Sequence, residues 1–104
     1  MRGLVFGATK ISAEQRMEQL IQDYKKYWNI EPEKIRKCRN EFSVVFKNGD
    51  YWQALRFSEN QRGRRANVLI LDRNLNMNEI DLAKMALIEK PYGSVTYYYY
   101  EGKK

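Results

Sequence analysis

The chain has 104 residues, enough for one domain and too few for two. Hydrophobic residues make up 43% and charged residues 31%, a balance that suits a globular domain and excludes a disordered chain, and no apolar run reaches the ~20 residues of a membrane span. The net charge of +6 favours nucleic acid or an acidic partner, the absence of histidine excludes His-based catalysis and nearly all zinc chemistry, and the lone Cys38 suits a reducing cytoplasm.

The opening "MRGLVFGATK" lacks the length and cleavage site of a signal peptide, and residues 3–8 read as a short buried strand. A helix follows. Ser12 with Gln15 three residues on has the form of a capping box, and Met17, Leu20, Ile21, Tyr24 and Trp28 recur at helical spacing on one apolar face. The helix ends near Trp28–Asn29, and Pro32 blocks its continuation. Residues 34–40, "KIRKCRN", read as a basic edge strand.

"EFSVVFKNGDYWQALRF" reads as a hairpin around a two-residue Asn48-Gly49 turn. That turn pairs Lys47 with Asp50, Phe46 with Tyr51 and Phe42 with Leu55. Phe42, Val44, Phe46, Tyr51, Leu55 and Phe57 then share a face, with Val45 opposite Trp52 and Glu41 opposite Arg56 on the other. After the polar "SENQRGRR", the segment "ANVLILD" is apolar on both faces, as a covered central parallel strand requires. "RNLNMNEIDLAKMALIEK" reads as a second helix, capped by Asn76 or Asn78, with Met77, Ile80, Ala83 and Leu87 on its apolar face. Pro91 and Gly93 interrupt the chain, and "SVTYYYY" reads as a last strand. The order gives an α/β fold: a small three-layer domain with a short, mostly parallel sheet, an inserted hairpin and two helices.

The chemistry is sparse. There is no Gly-x4-Gly-Lys-Ser/Thr phosphate loop, and "GATK" at Gly7–Lys10 is only a small-residue turn. Cys38 sits among Arg36, Lys37 and Arg39, where it reads as an incidental strand residue. Asp72 ends the apolar strand. Such an acid can cap the following turn, or it can stand at the sheet rim where nucleotide hydrolases hold Mg²⁺. Arg62, Arg64 and Arg65, beside Asn60 and Gln61, suit phosphate contacts, and Arg36, Lys37 and Arg39 add to the basic surface; the alternative is a solvated loop. Tyr97, Tyr98, Tyr99 and Tyr100 could stack on bases, though strand propensity explains them equally well.

"FKNGDYWQALRFSENQRGRRANVLILDRN" resembles the segment of phage large terminase ATPases, and of helicase-like relatives, that leads into their Walker B strand. That pattern has a hairpin around Asn-Gly, a polar loop, Arg-Gly-x-Arg, a strand and an Asp-Glu pair. "GLVFGATKISAEQRMEQLI" is similar to the strand and helix that follow the phosphate loop in those enzymes, so the resemblance covers most of residues 3–90. Two departures matter. The phosphate-loop strand is missing, and Arg73 stands where the family has its catalytic glutamate, beside Asp72 in the metal-holding position. A guanidinium cannot take a proton from water and opposes Mg²⁺. The resemblance therefore implies a non-enzymatic phage or prophage binding protein in the bacterial cytoplasm, without a cofactor, acting on nucleic acid or a protein partner. A partial ATPase subunit completed by another chain, or a small α/β domain of unrelated function, are the alternatives. It also implies that residues 3–8, 67–72 and 94–100 lie side by side as a parallel core. "TYYYY" would then be an open edge through which the chain dimerises or docks on a partner.

Overall fold

A computed structural model of the protein describes residues 1–39, 41–58, 65–86 and 97–102. The elements run β1 (Arg2–Gly7), α1 (Lys10–Trp28), β2 (Pro32–Lys37), β3 (Phe42–Phe46), β4 (Tyr51–Arg56), β5 (Val68–Asp72), α2 (Met77–Lys84) and β6 (Tyr97–Tyr100). The strands form one six-stranded sheet in the order β2-β3-β4-β1-β5-β6. β4, β1, β5 and β6 are mutually parallel, and β3 pairs antiparallel with both β2 and β4. The α/β class and the hairpin therefore follow the expectation from the sequence, and the side-by-side arrangement of β1, β5 and β6 is the one the resemblance implies.

Among the described residues, each face of the sheet carries one helix. α1 packs Ala13, Met17, Leu20, Ile21 and Tyr24 onto Val5, Phe42, Val44, Phe46, Trp52, Ala54 and Ile70. α2 packs Ile80 and Ala83 with Leu75 onto Leu4, Phe6, Leu55, Phe57, Leu69 and Leu71. β5 thus feeds both cores, which is why its run is apolar on both faces. Tyr24 is the joint of the first core: its ring stacks on Phe46 at 3.8 Å between centroids, its hydroxyl donates to Asp50 at 2.7 Å, and Trp52 Nε1 donates to that hydroxyl at 3.0 Å. Burial first, then the Asp50 carboxylate, pushes the Tyr24 phenol up to about 12, so it stays a neutral donor. The indole of Trp52 lies flat over Gly3, where any Cβ would collide with it.

The helix ends differ from the reading in one place. Thr9, not Ser12, is the N-cap of α1, its hydroxyl accepting the Ser12 amide at 3.0 Å. Asn29 closes the helix in the left-handed region at φ 53°. α2 is capped by Asn76 with a reciprocal Glu79 bond. Trp28 and Met77, expected on apolar faces, are exposed, and Leu87, Pro91 and Gly93 lie outside the described residues.

The hairpin register is one residue off the expected one. Phe42 pairs with Ala54, Val44 with Trp52 and Val45 with Tyr51. The cause is the turn. Phe46 accepts from the Gly49 amide at 2.9 Å and donates to the Asp50 carbonyl at 2.9 Å, so the loop has three residues, with Gly49 alone at positive φ (93°). Asn48 instead folds its side chain onto the Asp50 amide and carboxylate. One added residue moves Trp52 and Ala54 to the α1 face and sends Tyr51, Leu55 and Phe57 to the other, so Phe42, Val44 and Phe46 do not share a face with them.

A Cβ at Gly49 would meet nothing within 4 Å, so Gly49→Ala tests the backbone alone. It should cost about 1–2 kcal/mol through the left-handed conformation. A urea midpoint unchanged from wild type would show that the turn does not need that conformation.

Candidate functional site

The C-terminal ends of β1, β5 and β6 make the rim where ligands bind in open α/β sheets. Asp72 ends β5 there, fully buried. Its Oδ2 accepts from the Ala8 amide at 2.9 Å and from Ser12 Oγ at 2.6 Å. Its Oδ1 accepts from the Asn74 amide at 2.9 Å, Asn74 Nδ2 at 3.1 Å and the Gly102 amide at 3.2 Å. A carboxylate offers about four lone-pair sites, and these five donors fill them. The Asn74 pair is the turn cap anticipated for Asp72. The other partners come from distant segments, and Ser12 belongs to them because Thr9 has taken its capping role.

The hydrogen bonds around Ser12 have a fixed direction. Its one proton goes to Asp72, so the Tyr100 hydroxyl, 3.0 Å from Ser12 Oγ, is the donor in that contact. Burial is the main reason the Tyr100 phenol is pushed up to about 12, and the Asp72 charge reinforces it. Tyr100 therefore keeps its proton throughout the neutral range. The tail completes the cluster: Asn74 Nδ2 also donates to the Gly102 carbonyl at 2.7 Å, and a Cβ on Gly102 would fall on Ser12 Oγ and the Asp72 oxygens. Only glycine lets the backbone approach this closely.

The residues do not fit Mg²⁺. A magnesium ion needs free carboxylate oxygen and room for several waters. Here both oxygens are engaged, the tail lies against them, and Arg73 brings positive charge next door. Arg73 is itself drawn to β6: its Nε lies 3.4 Å from Glu101 Oε1, and its guanidinium sits 5.3 Å from the centre of the Tyr99 ring. Among the described residues no cluster of three His, Cys, Asp or Glu side chains suits a metal.

The predicted basic residues do not form one patch. Arg62 and Arg64 lie outside the described residues. Arg65 is exposed, and its Nη1 donates to the Met85 carbonyl at 2.9 Å, tying the approach to β5 to the end of α2. Alternation divides β2: Lys37 sits opposite Phe42 on the α1 face, whereas Lys34 and Arg36 sit opposite Val45 and Ser43 on the other. Lys37 is paired with Glu14 at 3.6 Å and Glu18 at 3.7 Å, which removes it from any phosphate surface. Arg39 is exposed just beyond the strand, and Cys38 is partly buried. On the Arg36 face the sheet adds residues that the sequence did not single out. Arg2 places its guanidinium 5.6 Å from the centre of the Tyr51 ring, and both share a face with Lys34 and Arg36. Only the correct hairpin register brings Tyr51 there.

The tyrosines divide in the same way. Tyr98 and Tyr100 face α1's side of the sheet, and Tyr97 and Tyr99 face α2's, where Lys84 lies over their rings at 4.2 and 5.8 Å. β6 is the outermost strand on its side among the described residues. Compared with protein-family models, curated proteins and solved structures, the chain matches none.

Bonding from Ser12 and the amides of Asn74, Ala8 and Gly102 outweighs burial, which acts in the opposite direction, and holds the Asp72 carboxyl below its usual range. A depressed folded-state pKa stabilises above the unfolded value near 4 and is lost as pH falls through the folded one. Asp72→Asn puts a second donor where every neighbour donates, and should cost about 3 kcal/mol or more at pH 7. Its stability should also vary less with pH below 4 than that of wild type, in which Asp50 is depressed too. Urea midpoints at pH 3–7 check both, and an unchanged acid slope would remove Asp72 as its source.

Proposed function

We propose that this is a non-enzymatic nucleic-acid-binding protein of phage or prophage type, built on a terminase-like ATPase fold that has lost its chemistry. The observation that carries the reading is the saturation of Asp72. An acid in the position of a metal ligand is used entirely to hold β1, α1, the β5–α2 turn and the tail together. Arg73, in the position of the base, is occupied with Glu101. Neither group is available to activate water, so ATP hydrolysis is not expected. The adjacency of β1, β5 and β6 is the arrangement that the resemblance implies, and it supports the same reading.

Binding is assigned to basic surface. Arg2 on β1 and Lys34 and Arg36 on β2 share one face of the sheet with the Tyr51 ring of β4, and Arg39 after β2 and Arg65 before β5 are exposed. Arginine and lysine around a π-face suit a nucleic-acid backbone with a stacked base, without sequence preference. A second contact, with another copy or a protein partner, is assigned to β6. It ends the sheet with Tyr98 and Tyr99 exposed, and a strand edge accepts another strand by backbone pairing.

Fluorescence polarisation with short single- and double-stranded DNA, at two salt concentrations, tests the nucleic-acid assignment. Binding should weaken with salt, with a logarithmic slope of about −0.7 to −0.9 per phosphate neutralised. Lys34→Ala with Arg36→Ala should flatten that slope, as should Arg62, Arg64 and Arg65 changed together to alanine. No binding at low salt would remove nucleic acid as a direct partner. For the strand edge, sedimentation equilibrium should show a dimer at micromolar concentration that Tyr99→Pro dissociates; a wild-type monomer would leave β6 to a different partner chain.

A further inference from the structure

The two helices cover the sheet unequally. α1 lies over β1, β4 and β3, so on its face the β5–β6 end of the sheet is floored by Val68, Ile70 and Tyr98, with Tyr98 56% exposed. A groove of about 490 Å³ lies between that floor and α1. This volume is within the range of small-molecule sites, roughly 300–1,000 Å³. α1 supplies the wall through Arg16, Leu20, Asp23, Tyr24 and Trp28. Arg16 and Trp28 are twelve residues apart, so the wall is about 18 Å long.

The polar groups of the groove are arranged by sign. At the far end are Asp50, Asn48 and Asp23. Asp50 is fully engaged by the Tyr24 hydroxyl, Asn48 Nδ2 and the terminal ammonium of Met1, and Asp23 accepts from Gln19. At the near end is Arg16, whose guanidinium lies 6.0 Å from the centre of the Tyr100 ring. Its Nη1 is the one buried side-chain nitrogen or oxygen among the described residues with no hydrogen-bond partner. Burying a cationic donor without an acceptor is costly. Nη1 itself is closed off, but Arg16 is only half-buried and lines the groove, so the guanidinium is a cation that a ligand oxyanion can pair with from the groove side. Asp72 is nearby but has no lone pair to offer, since its five donors already occupy it. Arg16 and Asp23 are seven residues apart, about 10 Å along the helix, and the surface between them is apolar.

We infer that this groove binds a small organic anion: an oxyanion head paired with the Arg16 guanidinium and an apolar, ring-bearing body about 10 Å long over Leu20, Val68, Ile70 and Tyr98. At the far end Asp50 and Asp23 together outweigh the Met1 ammonium that pairs with Asp50, and this net negative charge disfavours the anionic head there. The site is separate from the basic face assigned to nucleic acid, which lies on the opposite side of the sheet.

The chain's two tryptophans, Trp28 and Trp52, both line the groove, so intrinsic fluorescence reads occupancy directly. The probe is 4-phenylbutyrate, with 4-phenylbutanol as the uncharged control of the same shape, titrated into the intact protein with excitation selective for tryptophan. The expected result is a saturable change with the acid that weakens about tenfold or more in Arg16→Met, the loss of one charge-assisted hydrogen bond. The alcohol should bind weakly and equally to both proteins. Tyr98→Ala, at an exposed floor position, should weaken acid and alcohol alike. The indole N–H signals of Trp28 and Trp52 in ¹⁵N spectra of wild type should shift with the acid, which keeps the test decisive if Arg16→Met does not fold. No saturable change in wild type, or equal affinity of the acid for wild type and a folded Arg16→Met, overturns the inference. So does a tryptophan signal that follows protein concentration instead of probe, because a second copy would then be the occupant.

Discussion

Five hydrogen bonds converge on one buried carboxylate, and the C-terminal rim of this domain is organised around them. Asp72 touches the β1–α1 turn, the first turn of α1, the β5–α2 turn and the tail at once. A charge can sit in such a place only when donors replace the water it has lost. The backbone supplies three of these donors, at Ala8, Asn74 and Gly102, and their positions are fixed by the course of the chain. The constraint therefore runs both ways: the acid stays ionised because the segments meet there, and the segments meet there because the acid is ionised.

Several distant features follow from that constraint. Thr9 must cap α1 so that Ser12 is free to donate inward, and Tyr100 must stay protonated to donate to Ser12 in turn. Position 102 must be glycine for the tail to approach the carboxylate. Arg73, one residue beyond the acid, is turned outward by strand alternation onto Tyr99 of β6 and Glu101 just after it, which helps to seat that strand. A position that could have served chemistry is thereby used for cohesion of the sheet's parallel half. Groups that give up every lone pair to their own chain cannot also hold a metal or activate water.

The local features were legible in the sequence and the non-local ones were not. The apolar run of β5, the helical spacing of Met17, Leu20, Ile21 and Tyr24, and a cap at Asn76 or Asn78 all depend on patterns spanning a few residues, whereas the adjacency of β1, β5 and β6 was implied only by the resemblance. The hairpin existed where Asn48-Gly49 marked it, yet its register slipped. Type I and type I′ turns accept the same dipeptide, and the choice between them rests on an Asn48 side chain that prefers Asp50 to a left-handed backbone. Ser12 was credited with a cap because Ser-x-x-Gln is a sound local signal. Its true partner, sixty residues away, leaves no trace in the neighbouring sequence. The basic strand was read as one cluster because composition ignores alternation, and pairing then separated Lys37 from Arg36.

The same alternation gives the two faces of the sheet different capacities. On α2's side, Lys34 and Arg36 of β2 and Arg2 of β1 flank Tyr51, so positive charge is spread over an aromatic and polar surface. On α1's side, the parallel half ends in aliphatic floor and tyrosine, with a single guanidinium lacking an acceptor. The charges of the first surface are exposed and screened, a setting in which binding depends on charge more than on shape. The second is narrow, largely apolar and has one unsatisfied donor, which are the conditions under which one hydrogen bond decides what binds. A sheet of this size keeps the two surfaces apart because its pleat sends neighbouring residues to opposite sides, so the two proposed anion sites do not overlap.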